Sequence, residues 1–68
     1  MTLNVRILGR RGTRNVRLSK SAKVMDLLEA LDLSPQIVVT RRNGKIIVEE
    51  ERLASGDLVE IVPIVTGG

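Results

Sequence analysis

Apolar and polar positions alternate from the start of the chain. In TLNVRIL, Leu3, Val5 and Ile7 fall on one side of an extended backbone, and Asn4 and Arg6 fall on the other. This is the two-residue period of a half-buried strand. GRRG interrupts the pattern, and TRNVRL resumes it with Val16 and Leu18 inward. Two such runs around a glycine-bearing turn predict a β-hairpin. Gly9 and Gly12 make its loop longer than the tightest two-residue type.

The period then changes. In SAKVMDLLEALDLS, Val24, Leu27, Leu28 and Leu31 recur at the spacing of one helical face. Ser21 is the expected N-cap, and Asp26 and Glu29 sit toward the positive end of the helix dipole. The Ser34-Pro35 pair is the expected stop, because the residue before proline disfavours the helical conformation. A helix with one apolar face and one charged face needs a sheet to lie on.

QIVVTRRNGKIIVEEE reads as a second hairpin. Asn43-Gly44 is a strong two-residue turn signal, since both central positions need positive φ. Val38 and Thr40 share one face, and Ile37 and Val39 share the other. Leu53 is expected to be an isolated core anchor in a connecting segment. Ser55-Gly56-Asp57 turns the chain into a last strand, where Val59 and Ile61 alternate with Leu58, Glu60 and Val62. Pro63 lacks a ladder donor, so regular pairing is expected to end there. The order is hairpin, helix, hairpin, strand. It predicts one α+β domain over residues 1–68, with a five-stranded mixed sheet and one helix packed across one face. The last strand should run parallel to the first, in the middle.

Composition adds mainly exclusions. The chain is 43% hydrophobic with a net charge of only +3, which argues against disorder. It has no aromatic residue, no Cys and no His. That removes disulfides, a thiol nucleophile, thiolate or imidazole metal ligands and the commonest general base. No stretch has the length to span a bilayer, and the N-terminus lacks the apolar core of a signal peptide. These features point to the cytoplasm and to no membrane partner.

Charge is uneven. Residues 1–25 hold Arg6, Arg10, Arg11, Arg14, Arg17, Lys20 and Lys23 and no acid. Such a cluster suits a solvated basic hairpin, or steering of an acidic partner by Arg10, Arg11 and Arg14. With no aromatic to stack on a base, nucleic acid is the weaker reading. Glu49, Glu50 and Glu51 read as a solvated run, because adjacent carboxylates on an extended chain do not converge on a metal. Asp57 reads as a turn former.

The C-terminal stretch stands apart. Val62, Pro63, Ile64 and Val65 are more apolar residues than one core face needs, and Thr66, Gly67 and Gly68 follow. Either the strand is buried on both sides, or Val62, Pro63, Ile64 and Val65 form a partner surface beside a flexible tail at residues 65–68.

The whole chain resembles a ubiquitin-like β-grasp protein of the ThiS/MoaD sulfur-carrier family. The matching residues are the first hairpin, KVMDLLEALDL, RNGKIIV, LASGDLVEIV and the terminal Gly67-Gly68. The most specific combination is Gly56-Asp57-x-Val59-Glu60-Ile61 followed closely by Gly-Gly. The resemblance implies that an E1-like adenylyltransferase consumes MgATP to adenylate the carboxylate of Gly68. A sulfur donor of the cysteine desulfurase or rhodanese type then supplies sulfur, giving a thiocarboxylate that a sulfur-accepting synthase uses. Thr66 and Gly67 would form the threading tail, since a glycine without Cβ fits a narrow channel. On this reading the chain is not an enzyme and binds no cofactor or metal.

Short length and GDLVEIV place it nearer ThiS, which implies sulfur for the thiazole of thiamin. MoaD-like carriers, which serve molybdopterin synthesis, often carry an aromatic and a Pro-Pro pair before the glycines. This chain has neither. Transfer RNA thiolation is a third destination. Two other functions fit the pattern. One is a ubiquitin-like modifier that forms isopeptides through Gly68. The other is a β-grasp binding module without C-terminal chemistry.

Overall fold

A computed structural model describes residues 1–64. The expected tail, Val65, Thr66, Gly67 and Gly68, lies outside the described residues. The elements run β1 (Thr2–Ile7), β2 (Arg14–Arg17), α1 (Val24–Ala30), β3 (Val38–Arg42), β4 (Lys45–Ile47) and β5 (Leu58–Pro63). They form one mixed sheet in the order β2-β1-β5-β3-β4. As the order of elements predicts, β5 lies parallel to β1, pairing Asn4 with Leu58 and Ile7 with Ile61. It runs antiparallel to β3 on its other side.

One face of the sheet is closed. Leu3, Val5, Val59 and Ile61 meet Val24, Leu27 and Leu28 of α1, and all seven are essentially inaccessible to solvent. Ile7, Val38 and Leu53 complete this aliphatic core, and Val16, Leu18, Leu31 and Leu33 pack around it half-buried. With no aromatic ring to fill volume, the core depends on many interlocking branched side chains. The Asn43-Gly44 turn has φ of 53° and 82°, the left-handed pair that a two-residue hairpin requires.

Both helix ends differ from expectation. Ser21 is not the N-cap; Lys23 is, and its N–H donates to the Asp26 carboxylate at 2.8 Å. The next two donors are satisfied from a distant segment. Val24 N–H donates to the Glu51 carbonyl and Met25 N–H to that of Glu49, each at 3.0 Å. A cap supplied by tertiary contact leaves no local signal.

Nor does Ser34-Pro35 end the helix. Leu33 N–H donates to the Leu28 carbonyl at 2.8 Å and Asp32 N–H to that of Glu29 at 3.0 Å, with Asp32 at φ 58°. This is a Schellman closure with aspartate in the left-handed position usually given to glycine. Pattern reading missed it because the residue there is not glycine.

Candidate functional site

The other face of the sheet is open. Strand alternation sends Arg6, Leu8, Glu60, Val62, Ile64, Ile37, Val39 and Arg41 toward it, away from α1. Registers arrange them in rows. Arg6 pairs with Glu60 across β1 and β5, and Glu60 pairs with Arg41 across β5 and β3. The Glu60 carboxylate lies 4.0 Å from the Arg6 guanidinium and 3.6 Å from that of Arg41. Two cations therefore share one anion at the middle of the open face. The Nε of Arg41 is screened from solvent and hydrogen-bonds to no other described residue.

Toward the end of β5 the rows become aliphatic. Val62 lies opposite Val39. Ile64 N–H donates to the Ile37 carbonyl at 2.7 Å. Leu8, whose N–H donates to the Ile61 carbonyl at 2.9 Å, borders Val62 from the β1 side. Leu8, Ile37 and Ile64 are exposed at 60%, 52% and 47%. These are large apolar side chains facing water side by side, where buried positions were available only on the other face.

Pro63 explains how the strand ends. Ile37 and Ile64 occupy a hydrogen-bonded site of the antiparallel ladder, so the neighbouring pair, Val38 and Pro63, occupies a non-bonded one. The N–H that Pro63 lacks would point toward β1. There the ladder stops after Leu8, and the chain turns away with Arg10 N–H on the Ile7 carbonyl at 3.0 Å. Pairing was expected to end at Pro63. It ends there on the β1 side only and continues to Ile64 on the β3 side.

The four-residue partner surface expected from sequence is thus divided. Val62, half-buried, and exposed Ile64 belong to the open face. Pro63 turns to the opposite side, where it is exposed. Val65 lies outside the described residues, as do Thr66, Gly67 and Gly68. Arg6 and Glu60 were read only as members of a basic cluster and of the family motif, and Leu8 and Arg41 escaped the sequence reading. Leu8 alone left a signal, as an apolar residue breaking the alternation after Ile7.

Asp57 and Arg42 have structural roles. Asp57 orders its turn by accepting the Ala54 N–H at 2.8 Å. Arg42 joins the Arg52 carbonyl at 2.7 Å, the Glu51 carboxylate at 3.0 Å and the Asp57 carboxylate at 3.6 Å. A cleft of about 300 Å³ between α1 and β4 is lined by aliphatic residues such as Val24, Leu28 and Ile47, with Glu49 and Glu50 its only charged members. No helix among the described residues is long and apolar enough to cross a membrane.

One helix across a five-stranded mixed sheet, with the last strand parallel to the first at its centre, defines a ubiquitin-like β-grasp protein. A model of the ThiS family matches residues 3–68, and the chain belongs to that family. Its fold is similar to that of SAMP1 from Haloferax volcanii, with a TM-score of 0.79 at 22% identity over 100% of both chains. It is also similar to a ubiquitin of Caldiarchaeum subterraneum, with a TM-score of 0.74 at 17% identity over 100% of this chain and 98% of the other. The protein is accordingly a small ubiquitin-like protein of the ThiS family. The general class of partner for this family is an E1-like activating enzyme.

Proposed function

We propose that the chain is a sulfur carrier whose reactive group is the Gly68 carboxylate. An E1-like adenylyltransferase binds MgATP, and the carboxylate attacks the α-phosphorus with release of pyrophosphate. A persulfide on a cysteine desulfurase or rhodanese-type donor then attacks the acyl carbon and displaces AMP. A thiol cleaves the resulting acyl disulfide, leaving a thiocarboxylate on Gly68 and a disulfide on the donor side. A synthase uses that sulfur in building a cofactor, with the thiamin thiazole as the destination that ThiS membership favours over molybdopterin or transfer RNA.

The observation that carries this reading is the family match running through to Gly68 on a scaffold whose last described strand ends at an open, aliphatic sheet face. The chain has no Cys and no His. On this reading it is the substrate of its partners rather than an enzyme. It binds no metal or cofactor of its own, and the exchange takes place in the cytoplasm.

The likeness to a ubiquitin supports a second reading, in which activated Gly68 forms an isopeptide with a lysine of another protein. One experiment separates the two. The protein is incubated with the E1-like enzyme of the same cell, MgATP and a persulfide donor, and its intact mass is measured. A gain equal to exchange of oxygen for sulfur supports the carrier. Conjugates of higher mass support the modifier. An unchanged mass rejects both. A form extended beyond Gly68 should stay folded and unmodified, and its adenylation at Gly68 without trimming would sink the proposal.

A further inference from the structure

We infer that β4 is a dimerisation edge, pairing antiparallel with β4 of a second copy about a two-fold axis at Ile47 and joining two sheets into one. The inference does not depend on the chemistry at Gly68.

The sheet has two outer edges. In the order β2-β1-β5-β3-β4, β2 has β1 as its one described neighbour, and β4 has β3. An outer strand offers backbone N–H and C=O groups to any strand that can lie beside it. On the β4 side these groups belong to Ile46 and Val48. The two-residue turn makes Arg42 and Lys45 a hydrogen-bonded pair, so Lys45 and Ile47 bond inward to β3. Ile46 and the following Val48 therefore point theirs outward. Their side chains are 72% and 61% exposed, the highest values among the large hydrophobic residues described.

The order of residues along this edge decides what lies beside it. Lys45-Ile46-Ile47-Val48-Glu49 has a cation at one end, an anion at the other and aliphatic residues between. Antiparallel pairing reverses that order. A second copy centred on Ile47 sets Lys45 against Glu49, Ile46 against Val48, and Ile47 against itself. Opposite charges meet at both ends, and aliphatic side chains meet between them. Ile46 and Val48, with outward backbone groups, fall in the hydrogen-bonded positions of the new ladder. The cleft of about 300 Å³ beside α1 follows the same edge, with Ile46, Ile47 and Val48 in its lining. A second copy covers it.

The same operation fails on β2. Reversing Arg14-Asn15-Val16-Arg17 about its own centre sets Arg14 against Arg17, and both are exposed. Like charges directly opposite repel, so this edge blocks its own kind. The β4 contact is two-fold and closed, so association stops at the dimer. β5 lies in the middle of the sheet and takes no part in it.

Sedimentation velocity over a concentration series up to about 1 mM tests this. The wild type should pass from one chain to two and no further. Lys45→Glu and Glu49→Lys should each weaken dimerisation at least about tenfold, since each sets like charges opposite one another. The two variants mixed in equal amounts should dimerise like the wild type, and so should Lys45→Glu/Glu49→Lys. Arg14→Glu/Arg17→Glu, on the other edge, should stay within about twofold of the wild type. Circular dichroism checks that each variant is folded. Ile46→Lys replaces an exposed side chain and should be monomeric, so it decides the matter if Glu49→Lys does not fold. A wild type that stays monomeric throughout overturns the inference. So does dimerisation indifferent to the Lys45 and Glu49 reversals, or a mixture that associates no better than its components. A monomeric chain that binds the E1-like enzyme through β4 gives the edge to that partner and overturns it too.

Discussion

Ile64 donates its backbone N–H to the carbonyl of Ile37 at 2.7 Å, one residue beyond a proline. The bond keeps the end of β5 attached to β3 after its contact with β1 is lost, and it sets two exposed isoleucines side by side on the open face.

Pro63 should therefore be nearly dispensable for stability. Its missing donor points to the side where β1 has already turned away. Pro63→Ala should cost less than about 1 kcal/mol, mostly by freeing the unfolded chain. Val62→Pro, which by the same alternation removes a ladder donor to β3, should cost about 1–3 kcal/mol by stranding a carbonyl. Urea denaturation of the two variants checks the register, and equal costs would contradict it.

Ile64 should separate binding from folding. It is 47% exposed, whereas Ile61 is fully buried. Ile64→Asp should lower stability by less than about 1 kcal/mol while weakening the complex with the activating enzyme. Ile61→Asp should unfold the domain, because an unpaired charge cannot be accommodated in an aliphatic core. Circular dichroism together with binding assays decides this, and parallel loss of fold and binding in Ile64→Asp would return that residue to the core.

Asp32 is a site for stabilisation. It holds φ of 58° at the carboxyl end of α1, where left-handed backbone strains an L-residue and the helix dipole repels a carboxylate. Asp32→Gly should stabilise the protein by about 1 kcal/mol, which raises Tm by roughly 4–8 °C in a domain of this size. Calorimetry showing a lower Tm would mean that the Asp32 carboxylate does something the closure does not require.

Arg42 holds the 51–57 segment to β3 through one carbonyl and two carboxylates. Its side chain is only 24% exposed, so the contacts are partly shielded from solvent screening. Arg42→Met should destabilise by about 1–2 kcal/mol. High salt should recover little of that cost, because the hydrogen bond to the Arg52 carbonyl involves no second charge. Denaturation midpoints at low and high salt test this.

Leu27 is fully buried under the sheet. Leu27→Ala should cost about 3–5 kcal/mol, comparable to the whole stability of so small a domain. Loss of amide dispersion in a heteronuclear NMR spectrum is the expected readout, and a well-dispersed spectrum would show that the core can collapse around the gap.

Much of this architecture was legible in the residues. Alternation at Leu3, Val5 and Ile7 and the helical spacing of Val24, Leu27 and Leu28 each report which side of a local segment meets the core. That depends only on backbone geometry within a few residues. Asn43-Gly44 named its turn type for the same reason. The helix ends were not legible, since one is capped by carbonyls from Glu49 and Glu51 and the other is closed by an aspartate where glycine is usual.

Sequence by itself fixed the elements, the core-facing residues and, through its resemblance, Gly68 as the candidate reactive end. Only the tertiary structure decided that Arg6, Glu60 and Arg41 form one row, and that Leu8, Val62, Ile64 and Ile37 share one patch beside the Arg10-Arg11 turn. The physical reason is that a strand's period says which face a side chain takes but not which strand lies beside it. Neighbours are chosen when distant segments bury a common core and exchange backbone hydrogen bonds, and no local pattern encodes that choice.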